Sequence, residues 1–93
     1  MVYGYKFHGK WELNYAIWLD ENLIEWQRPN EVFQYTMNDK VHHYTPDFYL
    51  PKTNEYIEIK GYETEKDRCK WRDFPLKLRI LKRDDLKLLN IKC

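Results

Sequence analysis

The chain has 93 residues, 43% of them hydrophobic and 33% charged, with a net charge of +1. That length predicts one domain spanning 1–93 around a single core, and the balance excludes a low-complexity coil; no apolar run approaches the roughly 20 residues that cross a bilayer. Two cysteines, Cys69 and Cys93, argue against a disulfide scaffold and for a reducing cytoplasm, and the opening residues lack the apolar stretch of a secretory signal.

The spacing predicts a helix from Lys10 to Leu23, with Trp11, Tyr15, Trp18 and Leu19 marking an apolar stripe that Leu13, Ala16 and Ile17 widen. Leu23 to Trp26 reads as a short extended segment stopped by Arg28-Pro29-Asn30. Glu31 to Thr36, rich in Val, Phe and Tyr, reads as a strand. Met37-Asn38-Asp39-Lys40 is a turn, because Asn and Asp tolerate left-handed backbone. Val41 to Leu50 returns as a strand interrupted by Pro46. Pro51 to Asn54 is the next turn, and Tyr56 to Lys60 is a strand that Gly61 ends. Glu63 to Asp73 is an exposed, charged helix stopped by Pro75. Leu76 to Leu81 alternates as a strand, and Asp84 or Asp85 caps a short helix carrying Leu86 and Leu89. This order predicts an α/β (α+β) fold, a mixed and mostly antiparallel sheet flanked by helices.

Charge is distributed unevenly. Lys60 to Cys93 carries 11 Lys and Arg against 6 Asp and Glu, whereas Met1 to Ile59 carries 5 against 9. Solvated helix faces account for such an asymmetry, and so does a phosphate-binding surface beside a carboxylate-rich metal site.

Chemistry concentrates in Tyr44-Thr45-Pro46-Asp47-Phe48-Tyr49-Leu50 and Tyr56-Ile57-Glu58-Ile59-Lys60-Gly61. Strand side chains alternate, so Glu58 and Lys60 share one face while Ile57 and Ile59 share the other. Folding the hairpin at Pro51 to Glu55 brings Asp47 opposite Glu58. Two close carboxylates repel unless a cation lies between them, and a hard ion such as Mg²⁺ takes oxygen ligands while keeping sites for water and phosphate. The Ile59 carbonyl is a further oxygen ligand, and Lys60 is placed to hold or deprotonate a water or to neutralise a pentacovalent phosphorus centre. Any single acid–lysine pair here reads better as a structural ion pair, and it is the full arrangement on these strands that favours a functional site.

Pro46-Asp47 followed by Glu58-Ile59-Lys60 resembles the signature of the PD-(D/E)xK nuclease superfamily. Tyr44-Thr45-Pro46-Asp47-Phe48, Leu50-Pro51 and Lys60-Gly61 more closely resemble the phage endonuclease I family of Holliday-junction resolvases and related small phage-encoded endonucleases. The similarity runs from about Phe7 to Leu81 and is specific around Asp47 to Gly61. It implies a restriction-endonuclease-like core and Mg²⁺- or Mn²⁺-dependent hydrolysis of DNA phosphodiesters by a cytoplasmic protein encoded by a phage or a bacterium. It also implies Asp47 and Glu58 as metal ligands and Lys60 at the attacking water. The family carries a Glu on its first helix, matched here by Glu12, which shares a helical stripe with Ala16, Leu19 and Leu23. Glu25 matches a further acid after that helix, and the resemblance makes Glu12 and Glu25 additional candidate metal ligands. Arg-Ser often precedes the helix Glu in relatives, where this chain has His8-Gly9.

DNA contacts are expected from His8, Lys10, His43, Lys66 and Lys70, the last two one helical turn apart. Tyr3, Tyr5 and Trp11 are candidates for stacking on unpaired bases. His42, His43, Cys69 and Cys93 lack the spacing of a zinc site. Paired cuts need two active sites, so a homodimer is expected, joined through the aromatic Tyr3, Tyr5, Phe33 and Tyr35. Two other readings stay open: a non-catalytic nucleic-acid-binding module on the same fold, and the catalytic part of a homing or restriction endonuclease.

Overall fold

The structure, a computed structural model, describes residues 9–91. Helix α1 (Lys10–Glu21) buries Glu12, Tyr15, Ala16 and Leu19, the spacing of one face of a 3.6-residue helix. It stops two residues short of the expected Leu23. Leu23 takes a left-handed φ of 56° while its N–H donates to the Asp20 carbonyl and the Ile24 N–H donates to the Leu19 carbonyl. That is a Schellman closure with leucine in the position glycine usually fills. The extended segment that follows meets the sheet at Gln27, which exchanges two backbone hydrogen bonds of 2.9 Å with Tyr49.

Strands β1 (Phe33–Met37) and β2 (Lys40–Tyr44) form an antiparallel hairpin. Asn38 and Asp39 turn it, with φ values of 54° and 62°, the geometry of a type I′ turn that matches the strand twist. The stretch expected as one interrupted strand is two strands in two sheets. Pro46 has no N–H to give a ladder, and beyond it the chain crosses to a second sheet. There β3 (Phe48–Leu50) pairs antiparallel with β4 (Glu55–Ile59), and β4 pairs parallel with β5 (Leu78–Leu81). Helix α2 (Glu65–Asp73) makes the crossover a parallel pair requires. The short α3 (Arg83–Leu88) follows. Its cap position is Lys82, whose N–H donates to Asp85 Oδ2 at 2.8 Å, so Asp85 reaches back from inside the helix instead of capping it. The described chain is thus α+β, with five strands in two sheets and three helices.

The middle strand β4 is buried along its length. Ile57 and Ile59 face a core of Tyr15, Ala16, Leu19, Trp26, Phe48, Leu50, Leu81, Leu86 and Ile91. Phe48 sits edge-on to Tyr15 at 5.3 Å and to Trp26 at 5.4 Å between ring centroids. A second aromatic cluster joins hairpin, α2 and β4: Phe33 lies 4.5 Å from Phe74 and 5.4 Å from Tyr56, and Tyr44 lies 6.1 Å from Phe74. Two of the aromatics expected at a dimer surface are therefore packing residues. Phe33 is half-buried in this cluster, and Tyr35 is 3% exposed and stacked on His42. Tyr3 and Tyr5 lie outside the described residues. Helix α2 also seals the edge of β1, where the Thr36 N–H donates to Asp73 Oδ2 and Arg72 donates to the Thr36 carbonyl. Among the described residues no helix is long and apolar enough to cross a membrane.

Candidate active site

One residue beyond the β3–β4 ladder, Asp47 stands opposite Glu58, and its N–H donates to the Ile57 carbonyl at 3.1 Å. The Ile59 N–H in turn donates to Asp47 Oδ2 at 2.8 Å, which fixes that carboxylate against β4. Glu58 is 6% exposed. Asp47 and Glu58 line a polar cleft of about 400 Å³ with Glu12, His43, Tyr44, Thr45, Ile59, Lys60 and Lys70. The expected convergence of Asp47, Glu58 and Lys60 on one spot is present, with Glu12 beside them.

Glu58 is buried and Asp47 half-buried. Burial, reinforced by the neighbouring Asp47 charge, lifts the Glu58 pKa from 4.5 to about 8. Burial and the Glu12 charge lift Asp47 from 3.8 to about 6, against the pull of the Ile59 N–H and of Arg28. Burial also pushes the Tyr44 hydroxyl well above the usual tyrosine range, with the Glu58 charge adding to it. Glu58 Oε1, the Tyr44 hydroxyl and Trp71 Nε1 are buried without a well-formed hydrogen bond among the described residues, although the Tyr44 hydroxyl faces both Glu58 and Trp71. A buried polar atom left in this way is costly unless something outside the protein completes it.

Arg28 was not anticipated from the sequence. Its Nη1 donates to Glu12 Oε1 and to the Asp47 carbonyl, each at 2.9 Å, and its guanidinium lies 5.3 Å from the centre of the Phe48 ring. The backbone pairing of Gln27 with Tyr49 delivers it there. Glu12 is thereby tied to an arginine, and it reaches the cleft as a paired acid. Glu25 does not reach it. That residue is exposed and lines a separate, mostly apolar cavity of about 300 Å³ formed with Tyr15, Trp18, Leu50 and Leu89, because the closure of α1 turns the chain away from the cleft.

Lys60 lines the cleft, but its ion pair is with Asp67 of α2 at 3.3 Å, not with Asp47 or Glu58. Lys70 also enters the cleft from α2, whereas Lys66 is exposed and lies outside its walls. His43 is exposed at the rim, and His42 is on the opposite face of β2. Lys10 lines an adjoining pocket with Gly9 and Trp11 that shares Glu12 and Ile59 with the cleft. His8 lies outside the described residues. Where β4 ends, Trp11 rests on Gly61: a Cβ there would stand 2.8 and 2.9 Å from two indole carbons.

The donor set suits a hard divalent cation. Asp47 and Glu58 supply two carboxylates whose repulsion such an ion relieves, Glu58 Oε1 makes no well-formed hydrogen bond among the described residues, and Ile59 borders the cleft. Among the described residues no three His, Cys, Asp or Glu side chains gather into an ion cage. A two-carboxylate set leaves coordination positions for water and phosphate, which is how Mg²⁺ is commonly held. No family model, curated protein or solved structure matches this chain.

Proposed function

We propose that the chain is a metal-dependent endonuclease that hydrolyses DNA phosphodiester bonds, on a restriction-endonuclease-like core of the PD-(D/E)xK type. The observation that carries this reading is the pair Asp47–Glu58, a half-buried and a buried acid side by side with both pKa values lifted, in a cleft that two lysines also line. Two acids that repel one another in a partly buried site add nothing to the stability of a folded chain when ionised, and functional sites are where such arrangements concentrate. Held by Asp47 and Glu58 with the Ile59 carbonyl, Mg²⁺ or Mn²⁺ would supply Lewis-acid activation of the phosphodiester and of water.

The side chains have separate tasks. The Ile59 N–H orients Asp47, and Arg28 holds Glu12 against the Asp47 backbone. Lys60 brings positive charge to the phosphate as negative charge builds on its oxygens. His43 and Lys10 extend the contact along the DNA backbone. The reading is tested by incubating the protein with linear, nicked and four-way-junction DNA and with RNA, with and without Mg²⁺ or Mn²⁺. Metal-dependent cleavage is expected, with a preference for branched DNA. Asp47→Asn, Glu58→Gln and Lys60→Ala are each expected to lose about 100-fold or more in rate while staying folded by circular dichroism. Full activity in Asp47→Asn or Glu58→Gln would remove the site from consideration.

A further inference from the structure

Asp67 is the least exposed acid described, at 1%. Its two oxygens do different work. Oδ2 accepts the Thr64 N–H at 3.0 Å and the Thr64 hydroxyl at 2.8 Å, closing the capping box that starts α2. Oδ1 faces the ammonium groups of two lysines from different elements, Lys60 at 3.3 Å and Lys70 at 3.7 Å. The Lys70 side chain is 17% exposed, its ammonium lies 4.8 Å from the centre of the Tyr44 ring, and its charge pulls against the lifted pKa of Glu58. Both lysines border the cleft that holds Asp47 and Glu58.

One carboxylate neutralises one ammonium. Two gather at this single oxygen, so Asp67 alone does not neutralise them, and both lysines line the cleft. A phosphodiester carries one negative charge spread over two non-bridging oxygens, a match for two cationic donors side by side. We propose that Asp67 holds Lys60 and Lys70 as a paired clamp on the phosphate of the bond being broken, so that Lys70 is a second catalytic cation and Asp67 a positioning residue. The proposal rests on the nuclease reading above. A surface lysine that only gripped distant phosphates would not need a buried carboxylate to place it; Lys66, on the same helix, is exposed and outside the cleft.

The experiment compares the full chain with Lys70→Ala, Lys70→Arg, Asp67→Asn, Asp47→Asn and, as a remote control, Lys87→Ala. Cleavage of the best DNA substrate is followed in Mg²⁺, and thermal unfolding is recorded for each variant. Lys70→Ala is expected to lower kcat about 100-fold with KM within about threefold. Its melting temperature should hold, and methylammonium in the buffer should return part of the rate. Lys70→Arg should retain more activity than Lys70→Ala, Asp67→Asn should fall in kcat without amine rescue, and Lys87→Ala should match the parent chain. Wild-type kcat in Lys70→Ala beside an inactive Asp47→Asn overturns the clamp and leaves the nuclease reading standing. A loss in Lys70→Ala that tracks unfolding, or that methylammonium fails to relieve, also overturns it. An active Asp47→Asn removes both.

Discussion

Glu58 and Asp47 set a testable pH dependence. Both acids have folded-state pKa values above their ordinary ones, about 8 against 4.5 and about 6 against 3.8, so the folded chain holds these protons more tightly than the unfolded chain. Their contribution to stability is therefore full below the ordinary carboxylate range and is lost as pH rises through about 6 and then about 8. In chelator, the melting temperature is expected to fall by about 10 °C between pH 5 and pH 9. Glu58→Gln should flatten the alkaline part of that fall, and Mg²⁺ should raise the melting temperature most at pH 9, where both acids are ionised. Differential scanning fluorimetry across the range checks this; a pH-independent parent chain would contradict it. At this scale the sequence was partly legible. Asp47, Glu58 and Lys60 were readable because a strand alternates and a hairpin pairs at a defined register. Arg28 was not, since its partners lie 16 and 19 residues away and nothing local announces them. Asp67 looked like one more acid on a solvated helix, although Thr64 three residues earlier was a readable capping signal.

Element boundaries follow local chemistry. Helices α1 and α3 end in the same closure: the Asn90 N–H donates to the Lys87 carbonyl and the Ile91 N–H to the Leu86 carbonyl, as Leu23 and Ile24 do at α1. In each, the residue after the left-handed one is apolar, Ile24 or Ile91, packed on or within the core. The left-handed residue is Asn90 in one and Leu23 in the other, with φ values of 61° and 56°. Asparagine suits that conformation and leucine does not; the strain costs about 1 kcal/mol. Leu23 is 88% exposed, so little packing is lost with it. Leu23→Gly is expected to stabilise the chain by about 0.5–1 kcal/mol, read as a higher urea midpoint at unchanged m-value. A lower midpoint would mean that the Leu23 side chain, which also lines the apolar cavity beside Glu25, matters more than the backbone. The turn at Asn38-Asp39 was legible from residue type alone. The transfer between sheets was not, because a proline inside an apolar run marks an interruption without saying where the chain goes next.

Across the whole molecule, the acid-rich and base-rich parts of the chain meet at the cleft. Asp47, Glu58 and Glu12 come from the first part, Lys60 and Lys70 from the second, so the two parts each contribute charge to one site. Arg28 ties α1 to the start of β3 across that site. Arg28→Ala leaves Glu12 buried without this partner and also removes a donor from the Asp47 carbonyl. It is expected to destabilise the fold by about 3 kcal/mol, with Arg28→Lys recovering only part because one ammonium does not reproduce the guanidinium geometry. Chemical denaturation measures both, and a loss below about 1 kcal/mol would show that Glu12 is adequately solvated without it. Tertiary ties of this kind join elements through side chains whose individual propensities are silent about them. The number and type of elements could thus be read along the chain, while the division into two sheets and the identity of the staples could not.

The contact between Trp11 and Gly61 has a mechanical consequence. The indole belongs to the residue just before Glu12, and the glycine to the residue just after Lys60, so two arms of the cleft lean on one another through a plate and a gap. A methyl group in that gap has no room at 2.8 Å unless the plate swings aside. The first turn of α1 and the exit of β4 therefore approach as closely as an indole on a bare backbone allows. The spacing between the acid on one arm and the lysine on the other is gauged by the absence of one carbon atom.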